Sequence, residues 1–147
     1  MASYYPPVAF HFSVEFIGIS NKKNDHQFQS VSGLSVDLET EEIAEGGENR
    51  FKHKIPIRTK YPNLVLKRGM LIDSGVITWC RKALEDFEIV PVEITVSLLN
   101  EMHESLQTWR ISNAYPVKWS VADFNAEENK IVIETLELSY NFFKIID

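Results

Sequence analysis

"VAFHFSVEFIG", residues 8–18, alternates without a break. Val8, Phe10, Phe12, Val14 and Phe16 fall on one side, and Ala9, His11, Ser13 and Glu15 on the other. A period of two with the aromatic and β-branched residues on one side predicts a strand with one buried face. The same signature recurs outward along the chain. "FQSVSGLSVDLETEEI" (28–43) reads as a second extended stretch, with Gly33 at a bulge or bend. "RFKHKIPIR" (50–58) sets Phe51, His53, Ile55 and Ile57 against Arg50, Lys52, Lys54 and Arg58. Pro56 has no amide to donate, which marks this strand as an edge or as near its end. After Pro91, Val92, Ile94, Val96 and Leu98 alternate. "SLQTWRIS" (105–112), "VKWSVADF" (117–124) and "KIVIETLELSYNFF" (130–143) follow, with "NAYP" (113–116) read as a break.

One stretch has the other period. In "DSGVITWCRKALEDF" (73–87), Val76, Ile77, Cys80, Ala83, Leu84 and Phe87 make an apolar stripe at helical spacing. Arg81, Lys82, Glu85 and Asp86 line the other side, and Asp73 and Ser74 are cap candidates. This predicts a helix over about residues 74–87. Roughly seven or eight strands and one flanking helix predict a mainly β fold, a small antiparallel barrel or sandwich in one domain, 1–147.

Bulk properties bound the function. A chain of 147 residues with 44% apolar and 24% charged residues suits one globular domain with a real core. The net charge of −6 argues against nucleic acid as a partner, since phosphate binding needs a basic surface. A single cysteine, Cys80, permits no intrachain disulfide and fits a reducing cytosol. The start, "MASYYPPVAFHF", lacks the charged flank and apolar run of a signal peptide. No apolar run approaches the ~20 residues of a membrane span, so membrane insertion is not expected.

"EEIAEGGENRFKHK" (41–54) puts Gly46 and Gly47 between an acidic and a basic run, which predicts a hairpin with its loop at 44–49. In that register Glu41 faces Lys52, Glu39 faces Lys54, Leu38 faces Ile55 and Val36 faces Ile57. Opposite charges then share one face and apolar residues mainly the other.

Catalytic patterns are weak. His11, His26, His53 and His103 are scattered, and none has metal-type spacing to another His or to Cys80. His103, between Glu101 and Glu104, reads as an exposed turn residue. His53 reads as a core or interface histidine, and Cys80 as a packed side chain. "SGLS" and "EGGEN" carry no phosphate-binding pattern, and "DFNAEEN" (123–129) lacks EF-hand spacing. Trp79, Trp109 and Trp119 read as core or interface anchors. No catalytic residue, cofactor or metal is expected. A small-ligand barrel would want inward polar groups, whereas the alternating faces are filled with Phe, Ile, Val and Leu.

Several segments together resemble the tail-tube (inner tube) protein family of contractile phage tails and phage-tail-like extracellular contractile injection systems. They are "YYPPVAFHFSVEF", "VSGLSVDLETEEIAEGGENRFKHKIP", "RTKYPNLVLKRGM", "WCRKALEDF", "EITVSLLNEMHE", "WRISNAYPVKWSVADFNAEEN" and "IETLELSYNFF". They run in the family's order from about Tyr4 to Phe143. One departure is Ile57 before Arg58, where many relatives carry a small residue, and it bears on the local bend.

The resemblance implies a structural protein that assembles as hexameric rings, stacked into a hollow tube inside a contractile sheath. It implies partners: further copies of itself, a sheath protein, baseplate and spike hub proteins, a tube terminator or cap, and protein cargo in the lumen. A tube-initiating baseplate protein of the same fold is the alternative role. On this reading the hairpin becomes a subunit interface formed by Glu39, Glu41, Glu45, Gly46, Gly47, Glu48, Asn49, Arg50, Lys52 and Lys54. The protein would be made in the cytoplasm and built into a particle that can be released from the cell.

Overall fold

Val14 and Phe16 are enclosed and Glu15 between them is exposed, so the opening strand β1 (His11–Phe16) keeps the alternation of its sequence. The structure, a computed structural model, describes residues 11–19, 23–43, 53–71, 73–122 and 132–146. Val8 and Phe10, assigned to the same face, lie outside the described residues.

After β1 come a 3-10 turn (Lys23–His26), β2 (Gln27–Phe28), β3 (Ser30–Ser32), β4 (Asp37–Ile43) and β5 (His53–Lys60). Next are β6 (Leu64–Gly69), α1 (Gly75–Glu85), β7 (Val92–Leu99), β8 (Ser105–Val121), β9 (Ile133–Ser139) and β10 (Phe142–Ile146). Pairing is antiparallel throughout. The main sheet runs β2-β1-β7-β8-β9-β6-β3, and β10 also pairs with β8. Its two end strands are separated in the chain by Gln29 alone, whose amide donates to the Lys67 carbonyl at 2.9 Å. The sheet therefore curls until its ends meet in one continuous segment. No ladder joins β2 to β3, so the wrap is an open barrel.

The long strand β8 makes that curl possible. It pairs with β7 and β10 along its first part and with β9 along its second. The sequence break expected at "NAYP" is a distortion within this one strand. Asn113 takes φ 54°, and the register shifts between Pro116 and Lys118. Such an irregularity bends a strand without ending it. The last stretch, read as one strand over 130–143, is instead two, β9 and β10.

Alternation fills the interior. Val92, Ile94 and Val96 of β7, Leu64 and Leu66 of β6, and Leu136 and Leu138 of β9 meet Val14, Phe16, Phe28 and Ile111. Helix α1 closes one side with Val76, Trp79, Cys80 and Ala83. Its N-cap is Ser74, whose Oγ accepts from the Ile77 amide at 3.2 Å. Two residues expected on the stripe are outside it. At about 100° per residue the buried four subtend a narrow arc, and Leu84 falls on its flank, exposed. Phe87 lies past the helix end, at φ 57° after the C-cap Asp86, and is 83% exposed. A left-handed residue there satisfies the terminal carbonyls, as the Glu88 amide does at Lys82 O (2.9 Å), and turns the side chain off the stripe. Trp79 takes the core place, 5.6 Å from Phe16 edge to face, with its indole N–H on the Val90 carbonyl at 2.8 Å. Among the described residues no helix is long and apolar enough to cross a membrane.

Candidate functional site

Among the described residues strands β4 and β5 pair only with each other, as a two-stranded arm outside the main sheet. Its root is fixed. Gly33 takes φ +96°, where a side chain would run into the Asn63 carbonyl, so glycine lets the two ends of the arm approach. Tyr140 Oη donates to the Gly33 carbonyl at 3.3 Å. Tyr61, just past β5, packs edge to face on Tyr140 and Phe143, with ring centres at 5.9 and 5.2 Å. Burial, and then the neighbouring Tyr61, push the Tyr140 hydroxyl pKa up to about 12, so it stays a donor.

Beyond that root the arm is solvent-facing. Val36, Leu38, Ile43, Ile55 and Ile57 are 43 to 57% exposed. An isolated two-stranded ribbon is marginal in water, and this one carries five exposed apolar side chains.

The register differs from the one expected. Asp37 lies opposite Lys60, Glu39 opposite Arg58, Glu41 opposite Ile55, Glu42 opposite Lys54 and Ile43 opposite His53. Glu39 and Arg58 do form an ion pair, Oε2 to Nε 2.7 Å. Glu39 and Lys54, expected as partners, lie opposite Arg58 and Glu42, and Glu41 lies opposite Ile55, three residues from the partner expected for it. The register also shifts between Glu39 and Thr40, skipping Ile57, the position where the family resemblance had a departure. A one-residue slip moves side chains to the other face, so charges and apolar residues are not segregated as expected. His53, read as a core or interface histidine, is not in the core of the subunit but exposed on the arm. Glu45, Gly46, Gly47, Glu48, Asn49, Arg50 and Lys52 lie outside the described residues, as does "DFNAEEN".

A second charged assembly escaped the sequence reading. Arg68 on β6 is buried and holds Glu134 of β9 through Nε–Oε1 at 2.7 Å. Its Nη1 lies 3.2 Å from Asp25 Oδ1 and donates to the Asp25 carbonyl at 3.0 Å, and Nη2 donates to Ser74 Oγ at 2.9 Å. Ser74 Oγ donates in turn to Asp25 Oδ1, and the Gly75 amide to Asp25 Oδ2 at 2.8 Å. Trp119 Nε1 donates to Glu134 Oε2 at 3.1 Å. The guanidinium also lies over Phe28, 4.7 Å from the ring centre. One cation and two carboxylates thus tie the 3-10 turn, β6, α1, β8 and β9 together. The sequence did carry a signal: Arg68 and Glu134 occupy apolar positions of alternating strands.

The structure also joins His11 and His103, which the sequence left apart, Nε2 to Nδ1 at 3.0 Å. Among the described residues no group of three or more His, Cys, Asp and Glu is placed to hold a metal ion. Cys80 packs in the core as expected, its thiol pKa pushed up to about 12 by burial first and by Glu134 second, with Arg68 opposing.

Residues 8–144 match the family of the T4-like virus tail tube protein gp19. The chain belongs to that tail tube family. Solved tube-system structures agree. A chain of the anti-feeding prophage baseplate, symmetrised six-fold, is 30% identical with a TM-score of 0.80, over 99% of this chain and 97% of that one. A chain of the PVC sheath–tube complex in its extended state, from an extracellular contractile injection system, is 26% identical with a TM-score of 0.78. That alignment covers 97% of this chain and 93% of that one. Hcp1 from Flavobacterium johnsoniae, 14% identical with a TM-score of 0.55, shares the fold over 92% of this chain and 94% of its own. No curated protein sequence matches. The tail tube family is one of structural tube proteins, and this tail tube chain is a component of a phage tail or phage-tail-like contractile particle.

Proposed function

We propose that this tail tube protein is the main inner-tube subunit of a contractile injection particle, assembling as hexameric rings that stack into a hollow tube. The observation that carries the reading is the arm. It holds apolar side chains that the described residues of its own subunit leave uncovered, in a chain whose family match spans nearly its whole length. A repeating contact between unlike surfaces builds rings and open stacks, and an unsheltered ribbon with unpaired edges is a ready partner for one.

The contact assigned here runs through Glu39, Glu41, Lys52 and Lys54 and the tip Glu45, Gly46, Gly47, Glu48, Asn49 and Arg50. Charges along such a rim set register and reject wrong pairings more than they add affinity. The partners are copies of itself, a sheath protein, baseplate and spike hub proteins and a terminating cap, with protein cargo passing through the lumen. The subunit is not an enzyme, binds no nucleic acid and does not insert into membrane. It is made in the cytoplasm and built into a particle that can be released from the cell.

A second role on the same fold is the tube-initiating baseplate protein, favoured by the 30% identity to the baseplate chain. Stoichiometry in purified particles separates the two, since the main subunit is the abundant one. The test of assembly is electron microscopy of the purified parent beside Lys52→Glu/Lys54→Glu, with circular dichroism of both. The expected result is rings or tubes for the parent and folded, unassembled double variant. Normal tubes from the double variant would reduce the arm to a solvated hairpin.

A further inference from the structure

His11 and His103 lie 92 residues apart in the chain, yet their ring nitrogens converge. The rings meet edge to face, with centres at 4.7 Å. His11 is held in β1 opposite Leu99 of β7. His103 belongs to the turn between β7 and β8, which Asn100 organises. The Asn100 carbonyl accepts from the His103 amide at 3.0 Å, and Asn100 Oδ1 accepts from Met102 N and Glu104 N, both at 2.9 Å. His103 takes φ 61°, a conformation uncommon for a side chain of this kind. That backbone aims the ring back at β1.

We propose that the His11–His103 pair is a binding site for one divalent transition-metal cation that accepts two imidazoles at adjacent coordination positions. The present His103 Nδ1 to His11 Nε2 contact is a single hydrogen bond. When the donor ring passes that proton through solvent to its other nitrogen, both rings stay neutral and each has one lone pair to give to an ion. Each ring turns about its Cβ–Cγ bond to bring its lone pair onto the ion, with metal–nitrogen bonds of about 2.0–2.1 Å. Imidazole ligands suit copper(II) and nickel(II), which stand high in the order of affinities for such nitrogen sites. Access is open, since both histidines border a surface cleft of about 510 Å³ with Gln27, Gln29 and Arg68. The Arg68 charge does not repel the ion unopposed, because Asp25 and Glu134 hold that guanidinium. Solvent completes the coordination. A bound ion would pin the β7–β8 turn to β1, whichever role the subunit has in its particle.

The experiment uses the full-length, untagged protein, stripped with a chelator and titrated calorimetrically with copper(II) chloride and separately with nickel(II) chloride. One ion per chain is expected, with two imidazole nitrogens in the copper electron paramagnetic resonance spectrum. His11→Asn and His103→Asn should each weaken binding by about tenfold or more, while His26→Asn and His53→Asn leave it unchanged. Binding that survives in the His11→Asn/His103→Asn double variant, or is lost on changing His26 or His53 instead, overturns the site. So does the absence of stoichiometric binding. The parent supplies a measurement independent of variant folding: bound metal should protect His11 and His103 from diethyl pyrocarbonate, read by mass spectrometry. Unprotected rings at saturating metal overturn the proposal as well.

Discussion

Arg68 sits where an alternating strand calls for an apolar side chain, and two carboxylates converge on it. Removing it leaves Asp25 and Glu134 buried without their cation. Breaking a buried ion network from one side typically costs about 3–5 kcal/mol. Arg68→Met should therefore lower the stability of the subunit by about that much in denaturant unfolding, although methionine fills most of the volume. Cys80 makes a prediction of the opposite kind. Its thiol pKa rises from 9.0 to about 12 on folding, so the fold prefers the neutral form. That contribution is intact below pH 9 and is lost as pH climbs toward 12. The native protein should resist iodoacetamide at pH 8 and react once unfolded, and Cys80→Val should flatten the fall in melting temperature above pH 9. Tyr140, raised in the same direction, leaves part of that fall in place. The burial of Cys80 was legible, because one helical stripe carries it. The Arg68–Glu134 pair was not. Each charge is visible at an apolar position, but the two are 66 residues apart, and sequence does not say that β6 and β9 lie side by side.

Strands β1 and β7 and helix α1 could be read directly, because period and caps are local properties. The register of the β4–β5 arm could not, since the partner each residue takes and one skipped residue, Ile57, are not written in the alternation. The end of α1 shows the same limit: a left-handed Phe87 is a matter of terminal geometry that helical spacing does not record. The arm nevertheless yields a sharp expectation. Its ion pair, Glu39 with Arg58, has side chains 37% and 72% exposed and so adds little to the subunit. Its apolar side chains are the stronger handle. Leu38→Asp/Ile55→Asp should leave circular dichroism unchanged and abolish tube growth in electron microscopy, because both residues are exposed in the single subunit. A double variant that unfolds would show instead that the arm supports its own domain.

The whole molecule is a curled sheet with a long common strand, β8, one covering helix and a projecting arm. The expectation of a small barrel was right in outline, with the closing seam left open between β2 and β3. That much followed from the count of alternating stretches and a family resemblance running the length of the chain. Assembly belongs to this scale. Purified subunit at micromolar concentration should sediment as rings or stacks of rings, and a 17.0 kDa species alone at every salt concentration would contradict it. The proposed ring of six would carry about −36, at −6 per subunit, so the tube wall should be acidic overall. A channel that passes folded cargo should also lack large apolar patches, which a cryo-EM map of the tube checks directly.

The pairing of β1 with β7 has a consequence in time. Ser13 lies beside Ser97, and Phe16 beside Ile94. At a synthesis rate of roughly 5–20 residues per second, β1 waits about 4–17 seconds for its neighbour to be made. Throughout that interval Phe12, Val14 and Phe16 have only the two-residue β2 beside them on the ribosome. Stalled chains that end before β7 should be cut by protease within β1, and longer ones should be protected. A cell that makes many copies at once thus holds a standing pool of adhesive N-terminal segments, whose size is set by the ribosome and not by the fold.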